Sequence, residues 1–188
     1  MDRISVFDLV ILLALLAMFV VGYAQGVIRR LLGIAAIIFS LIVAAQLRAP
    51  LGDYLAQQWA GIAPQYSHMV AFGAVFAAAA ITLSIGIQIT YRPAPLFQKY
   101  PVLDEIVGGL LGVLEGFLIL IVIILILDPY YNDATVQATV GRGEFTLLRD
   151  LHARLNESII VEYLRTSVIP PILAVIGILF PQEVRDAF

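Results

Sequence analysis

Four separate stretches of this chain are each long and apolar enough to cross a lipid bilayer: about Ile4 to Val21, Val27 to Leu47, Met69 to Thr90 and Ile106 to Leu127. A hydrocarbon core about 30 Å thick takes roughly 20 residues of helix, and inside it the backbone must satisfy its own hydrogen bonds. No single small core could bury such runs. Of 188 residues, 61% are apolar and 13% charged, against roughly 45–50% and about 25% in soluble domains. The predicted fold is an all-α integral membrane protein with four transmembrane helices and a C-terminal extramembrane amphipathic helix. We divide it into a membrane domain, residues 1–128, and an extracytoplasmic tail, residues 129–188. A cleaved leader is disfavoured, because Asp2 and Asp8 do not suit a basic n-region.

The charged residues exclude several function classes. Net charge is −3, and the 11 Lys and Arg stand singly apart from the pair Arg29-Arg30. No polyphosphate-binding surface is visible, so nucleic acid is not expected as a partner. Absence of cysteine removes disulfides, thiolate metal sites and cysteine nucleophiles together. The two histidines, His68 in a connection and His152 in the tail, belong to neither a His-Glu-x-x-His nor a Gly-x-Ser-x-Gly pattern. We therefore expect no enzyme activity, no metal and no cofactor.

Positive charge in short connections marks the cytoplasmic side. The two connections on one side carry Arg29, Arg30, Arg92 and Lys99, whereas the opposite side has Arg3 and Arg48 near its membrane ends. Both termini are thus predicted outside the cytoplasm, with Arg29 and Arg30 setting topology and meeting lipid phosphates. Docking of a cytoplasmic partner on these arginines is the lesser alternative.

Local signals then place the connections. The tight Gly22–Gly26 segment predicts an antiparallel hairpin of spans one and two. Residues Arg48 to His68 read as an outer connection, with Pro50, Gly52, Gly61 and Pro64 as breakers and Tyr54, Trp59 and Tyr66 as interfacial anchors. Arg92-Pro93-Ala94-Pro95 should end span three. Gly108, Gly112 and Gly116 line one face of span four and predict a closely docked helix, weighed as an internal contact above a dimer seam. Ala80 and Ser84 could supply its facing stripe. Gly22-x-x-x-Gly26-Val27-Ile28 is weakly echoed by Gly108-x-x-x-Gly112-Val113-Leu114, a hint of duplication.

From about Glu144 to Arg165 the tail has Leu147, Leu148, Leu151, Leu155 and Ile159 at helical spacing, beside Arg149, Asp150, Arg154 and Glu157. This amphipathic helix is expected on the membrane face or over the outer end of the bundle, the first slightly favoured. The run Ile172 to Phe180, boxed by Pro170-Pro171 and Pro181, is too short to cross.

Glu115 is the sharpest chemical clue. It lies about ten residues into span four, where a carboxylate is costly and by default marks an ion path, a proton relay or a partner charge. The competing reading is a packing role, with Glu115 protonated or hydrogen-bonded to Ser40 or Thr82 at similar depth. These three residues form the candidate intramembrane polar site. Asp8, in the first turn of span one, suits the helix dipole, and Asp8 and Asp104 lie near opposite faces and cannot share a proton.

The ordered features resemble the colicin V production protein family, CvpA. The resemblance rests on Phe7-Asp8 before an apolar run, Gly22-x-x-x-Gly26-Val27-Ile28-Arg29, Leu103-Asp104 leading to Gly108, Gly112 and Gly116, then Asp128, and Tyr163-Leu164-x-x-Ser167-x-Ile169-Pro170. It implies a four-span bacterial inner-membrane protein, without catalytic residues, serving peptide bacteriocin export (toxin biosynthesis) and envelope homeostasis as a scaffold or accessory subunit. The alternative is a homo-oligomeric channel or transporter subunit with Glu115 in its path. Implied partners are the lipid bilayer, further copies of the chain, and an extracytoplasmic protease or export machinery. Family members often carry a basic residue where this chain has Glu115, and an Arg-Gly preceding a Phe-x-Arg-Glu stretch where it has Gln25-Gly26-Val27-Ile28-Arg29-Arg30. A position of either charge sign implies a side chain facing a water-filled crevice or another subunit.

Overall fold

The computed structural model describes residues 5–59, 64–91, 96–97, 100–131 and 145–176. Among them every element is helical: α1 (Val6–Gln25), α2 (Val27–Gln58), α3 (Pro64–Thr90) and α4 (Pro101–Tyr131), then α5 (Thr146–Asn156), α6 (Ile159–Tyr163), a π-helical turn (Leu164–Val168) and α7 (Ile169–Ile176). The first four are long and apolar enough to span a membrane, and only 11–39% of each hydrophobic window is buried by other protein. The outward faces, such as Leu9, Leu13 and Leu16 of α1, are therefore solvated by acyl chains. The chain is a multi-pass membrane protein.

Local chemistry sets the helix ends. Ser5 caps α1, accepting the Phe7 amide at 2.9 Å, while Asp8 accepts the Ser5 amide at 2.9 Å, a reciprocal capping box. Pro64 and Pro101 open α3 and α4, in the first turn, where an amide has no intrahelical acceptor to lose. Gly26 alone joins α1 to α2, at φ 75°, a conformation that side chains resist.

Pairing departs from the hairpin reading. Although joined by one residue, α1 and α2 make few contacts; α1 lies along α4, and α2 along α3. The glycine-faced seam of α4 decides this, as shown below. The connection predicted from Arg48 to His68 is also mostly helix, because α2 runs through Pro50 to Gln58. Proline removes one backbone bond there, but tertiary packing overrides it: Gly52 lies so close to α3 that an added Cβ would stand 2.7 Å from the His68 ring. His68 Nε2 in turn lies 3.1 Å from Asp53 Oδ1. Tyr66 is not an interfacial anchor but a core residue, 2% exposed and packed against Tyr131 and Phe145; Tyr54 is exposed. Arg92–Pro95, Lys99, Gly61 and the run beyond Ile176 lie outside the described residues.

The core concentrates at one end of the bundle, where Phe72, Ile124 and Leu125 of the spans meet Leu155, Val161 and Ile169 of the tail in one continuous cluster. Spans and tail therefore share a hydrophobic interior. The tail helices fold over the bundle end rather than lying apart on the bilayer, contrary to the preference drawn from the sequence. Leu155 is the buried side of α5, and Leu147 is exposed. The π turn sits directly before Pro170-Pro171, two residues without amide donors, where the regular i→i+4 ladder cannot continue.

Candidate functional site

The α4 glycines face α1. A Cβ on Gly112 would stand 2.2 Å from the Met18 carbonyl oxygen, and one on Gly108 would stand 2.7 Å from that of Gly22. Gly22 reciprocates, its added Cβ falling 2.3 Å from the Gly108 carbonyl oxygen. Two backbones thus touch where no side chain fits, the geometry expected of small residues spaced by four. Gly116 opposes Leu15 and Met18 side chains. The facing stripe comes from α1, not from Ala80 and Ser84 of α3; Ser84 is exposed. The two echoing segments around Gly22 and Gly108 are packed on each other.

At the same end, Asp104 closes the turn. Its carboxylate accepts the Val27 amide at 3.3 Å, the first of α2, together with the Leu96 amide at 2.9 Å and the Phe97 amide at 3.3 Å. An added Cβ on Gly26 would meet Asp104 Oδ2 at 2.4 Å, a second reason for glycine there.

Glu115 is paired with Arg30 of α2, whose Nη1 donates to Glu115 Oε2. The two side chains are 6% and 13% exposed. Gly33 makes room: a Cβ there would stand 2.7 Å from Glu115 Oε1. This corrects two expectations. Thr82 is exposed and donates to its own helix at the Ala78 carbonyl, 2.7 Å away, and Ser40 is fully buried with no partner for its hydroxyl among the described residues; neither holds Glu115. Arg30 turns inward to Glu115 instead of standing on the surface of the bundle, while half-buried Arg29 lies beside it. Successive helical residues point about 100° apart, so two adjacent arginines have two different surroundings. Both line a polar crevice of about 160 Å³ with Glu115, Gln25, Ser84 and Gln88.

The opposite end is held by two more carboxylates. Asp8 receives the Ser158 hydroxyl at 2.5 Å and the Ile160 amide at 3.3 Å, so the first turn of α1 carries the start of α6. Asp128, 1% exposed, receives Arg165 through Nε and Nη2, both at 2.6 Å, a bidentate fork. His152 Nε2 stands 3.2 Å from the same carboxylate, its ring stacked on Tyr131. Asp8 and Asp104 thus sit at the two ends of α1, roughly 30 Å apart for a helix of 20 residues. Among the described residues no group of three His, Asp or Glu is placed to hold a metal ion.

The sequence model of the colicin V production protein family matches residues 7–175. The chain belongs to that family. Comparison with curated proteins and with solved structures gives no match. In this member of the colicin V production family, motif segments quoted from the sequence meet in two pairs, Gly22 with Gly108 and Gly26-Val27 with Asp104, while Asp8 binds Ser158 just before α6. Sequence reasoning missed Arg30 as the partner of Glu115, and Ser158, His152 and Arg165 as the partners of Asp8 and Asp128. The available signal was the count of acids in or at the ends of apolar helices, each of which requires a donor.

Proposed function

We propose that this colicin V production family member is a non-enzymatic accessory protein of the bacterial inner membrane. It serves peptide bacteriocin production or export and envelope homeostasis as a rigid scaffold that presents its tail outside the cytoplasm. The observation that supports this reading is that Asp8, Asp104, Glu115 and Asp128 each bind donors from another segment of the chain. Carboxylates used this way fix helices and tail as one body. The orientation draws on charge in and beside the span connections alone: with Arg30 and Arg48 both buried, Arg29, Arg92 and Lys99 on one side stand against Arg3 at the first span on the other, while the tail adds five arginines to that other side. Partners suited to such a body are export machinery, an extracytoplasmic protease, or further copies of the chain.

The test uses a colicin V-producing strain deprived of its own family member and supplied with this chain. Arg165→Glu sets like charge against Asp128, so secreted bacteriocin should fall to the level of the deprived strain while membrane insertion persists. Full secretion from that variant refutes the scaffold reading. A cysteine placed at the exposed Arg149, in a chain that otherwise has none, should react with an impermeant maleimide from outside the cytoplasm.

The channel alternative draws on the polar crevice beside Glu115. Its test is ion and proton flux in proteoliposomes, with loss in a folded Glu115→Gln chain as the supporting result.

A further inference from the structure

The crevice lined by α1, α2, α3 and α4 is bordered by an arginine with one donor that no acceptor among the described residues satisfies. Arg30 is 5% exposed, its Nη1 is engaged by Glu115, and its Nε is enclosed with no acceptor among the described residues. A guanidinium carries five N–H donors and no acceptor, and an enclosed donor without an acceptor is costly. The guanidinium also borders the crevice, and it is there, rather than at the enclosed Nε, that oxygen atoms from outside the protein can meet it. Arg29 supplies a second cation on the same wall, and Ser84 and Gln88 line the crevice from α3. Formal charge over Arg29, Arg30 and Glu115 is positive by one, which favours a singly charged anion. The volume, about 160 Å³, equals roughly five waters at about 30 Å³ each. That admits a phosphate-sized group. Arg29 and Arg30 lie in the first turn of α2, close to the bilayer boundary where headgroup phosphates lie. Guanidinium donors match phosphate oxygens in both charge and fork geometry.

We propose that this crevice binds one phosphate group, taken by Arg30 and Arg29 and bordered by Ser84 and Gln88. A bilayer phospholipid and free phosphate share that chemistry. Glu115 has a positioning role, holding the Arg30 guanidinium by Nη1. The inference does not depend on the scaffold or channel readings.

The test uses the full chain purified in a phosphate-free alkyl glycoside detergent and read by native mass spectrometry. It is offered phosphatidylglycerol, a galactosyl diacylglycerol without phosphate, or inorganic phosphate. One phosphatidylglycerol per chain should be retained, at least tenfold above the galactolipid. Retention should fall about tenfold in Arg29→Gln and in Gln88→Leu, neither of which touches the ion pair, and stay unchanged in Arg149→Gln on the tail. Displacement of the lipid by millimolar inorganic phosphate assigns the site to free phosphate; its failure to compete assigns it to the lipid. Equal retention of both lipids, or equal loss in Arg149→Gln, overturns the proposal.

Discussion

Removing one member of the Arg30–Glu115 pair should be far more damaging than removing both. With 6% and 13% of the two side chains exposed, Glu115→Leu leaves a guanidinium without its counter-charge inside the bundle. Breaking a buried pair costs about 3–5 kcal/mol, whereas replacing both members with apolar residues is often neutral or stabilising. Arg30 stands in the first turn of α2, so once released it can extend toward the headgroups and recover part of its solvation. That places the single variant at the lower limit, about 3 kcal/mol, or roughly a hundredfold in the folding equilibrium. Arg30→Met with Glu115→Leu should lie within about 1 kcal/mol of the parent. The single tryptophan, Trp59, follows unfolding as dodecyl sulfate is titrated into mild detergent. Equal destabilisation of the single and double variants would show that shape, not charge pairing, joins α2 to α4.

Gly112→Ala should cost about 1–3 kcal/mol in the same titration, because its new methyl meets the Met18 carbonyl. Gly86→Ala, where nothing lies within 4 Å, should be neutral or gain up to about 1 kcal/mol from helix propensity. Ser158→Ala removes a hydrogen bond to a carboxylate, worth about 1.5–3 kcal/mol. Amide exchange at the start of α6 should then rise at least tenfold with the spans unchanged. Arg165→Lys keeps the charge but loses the fork on Asp128, so limited proteolysis should release the tail faster than from the parent.

What the sequence discloses is what repeats along it. Four spans follow from length and hydropathy, since the bilayer imposes both. The spacing of Gly108, Gly112 and Gly116 announces a close neighbour, but small residues carry no mark of which helix that is, and α1 supplied it in place of α3. The depth of Glu115 was legible; its partner was not, because Arg30 adjoins a short connection and looked superficial until the rotation of α2 turned it inward. Pro50 misled in the opposite way. Its local preference is to end a helix, yet contacts from Gly52 to His68 carry α2 onward. In the tail, the apolar stripe could be read, but its seat depended on Asp8 and Asp128, distant in sequence and paired only by the folded chain.

The partnership of α1 with α4 fixes the order in which the protein can mature. Arg30 and Glu115 are 85 residues apart, and at about 5–20 residues per second a ribosome needs roughly 4–17 s to make that interval. During it, α2 and α3 can associate as neighbours, while α1 waits in lipid with its glycine face unmatched. Arg30 then has no acid to join and can hold the nascent hairpin at the membrane surface. Arrival of α4 closes the seam and draws that arginine inward. A chain interrupted before α4 therefore lacks both the acid that Arg30 joins and the glycine face that α1 meets.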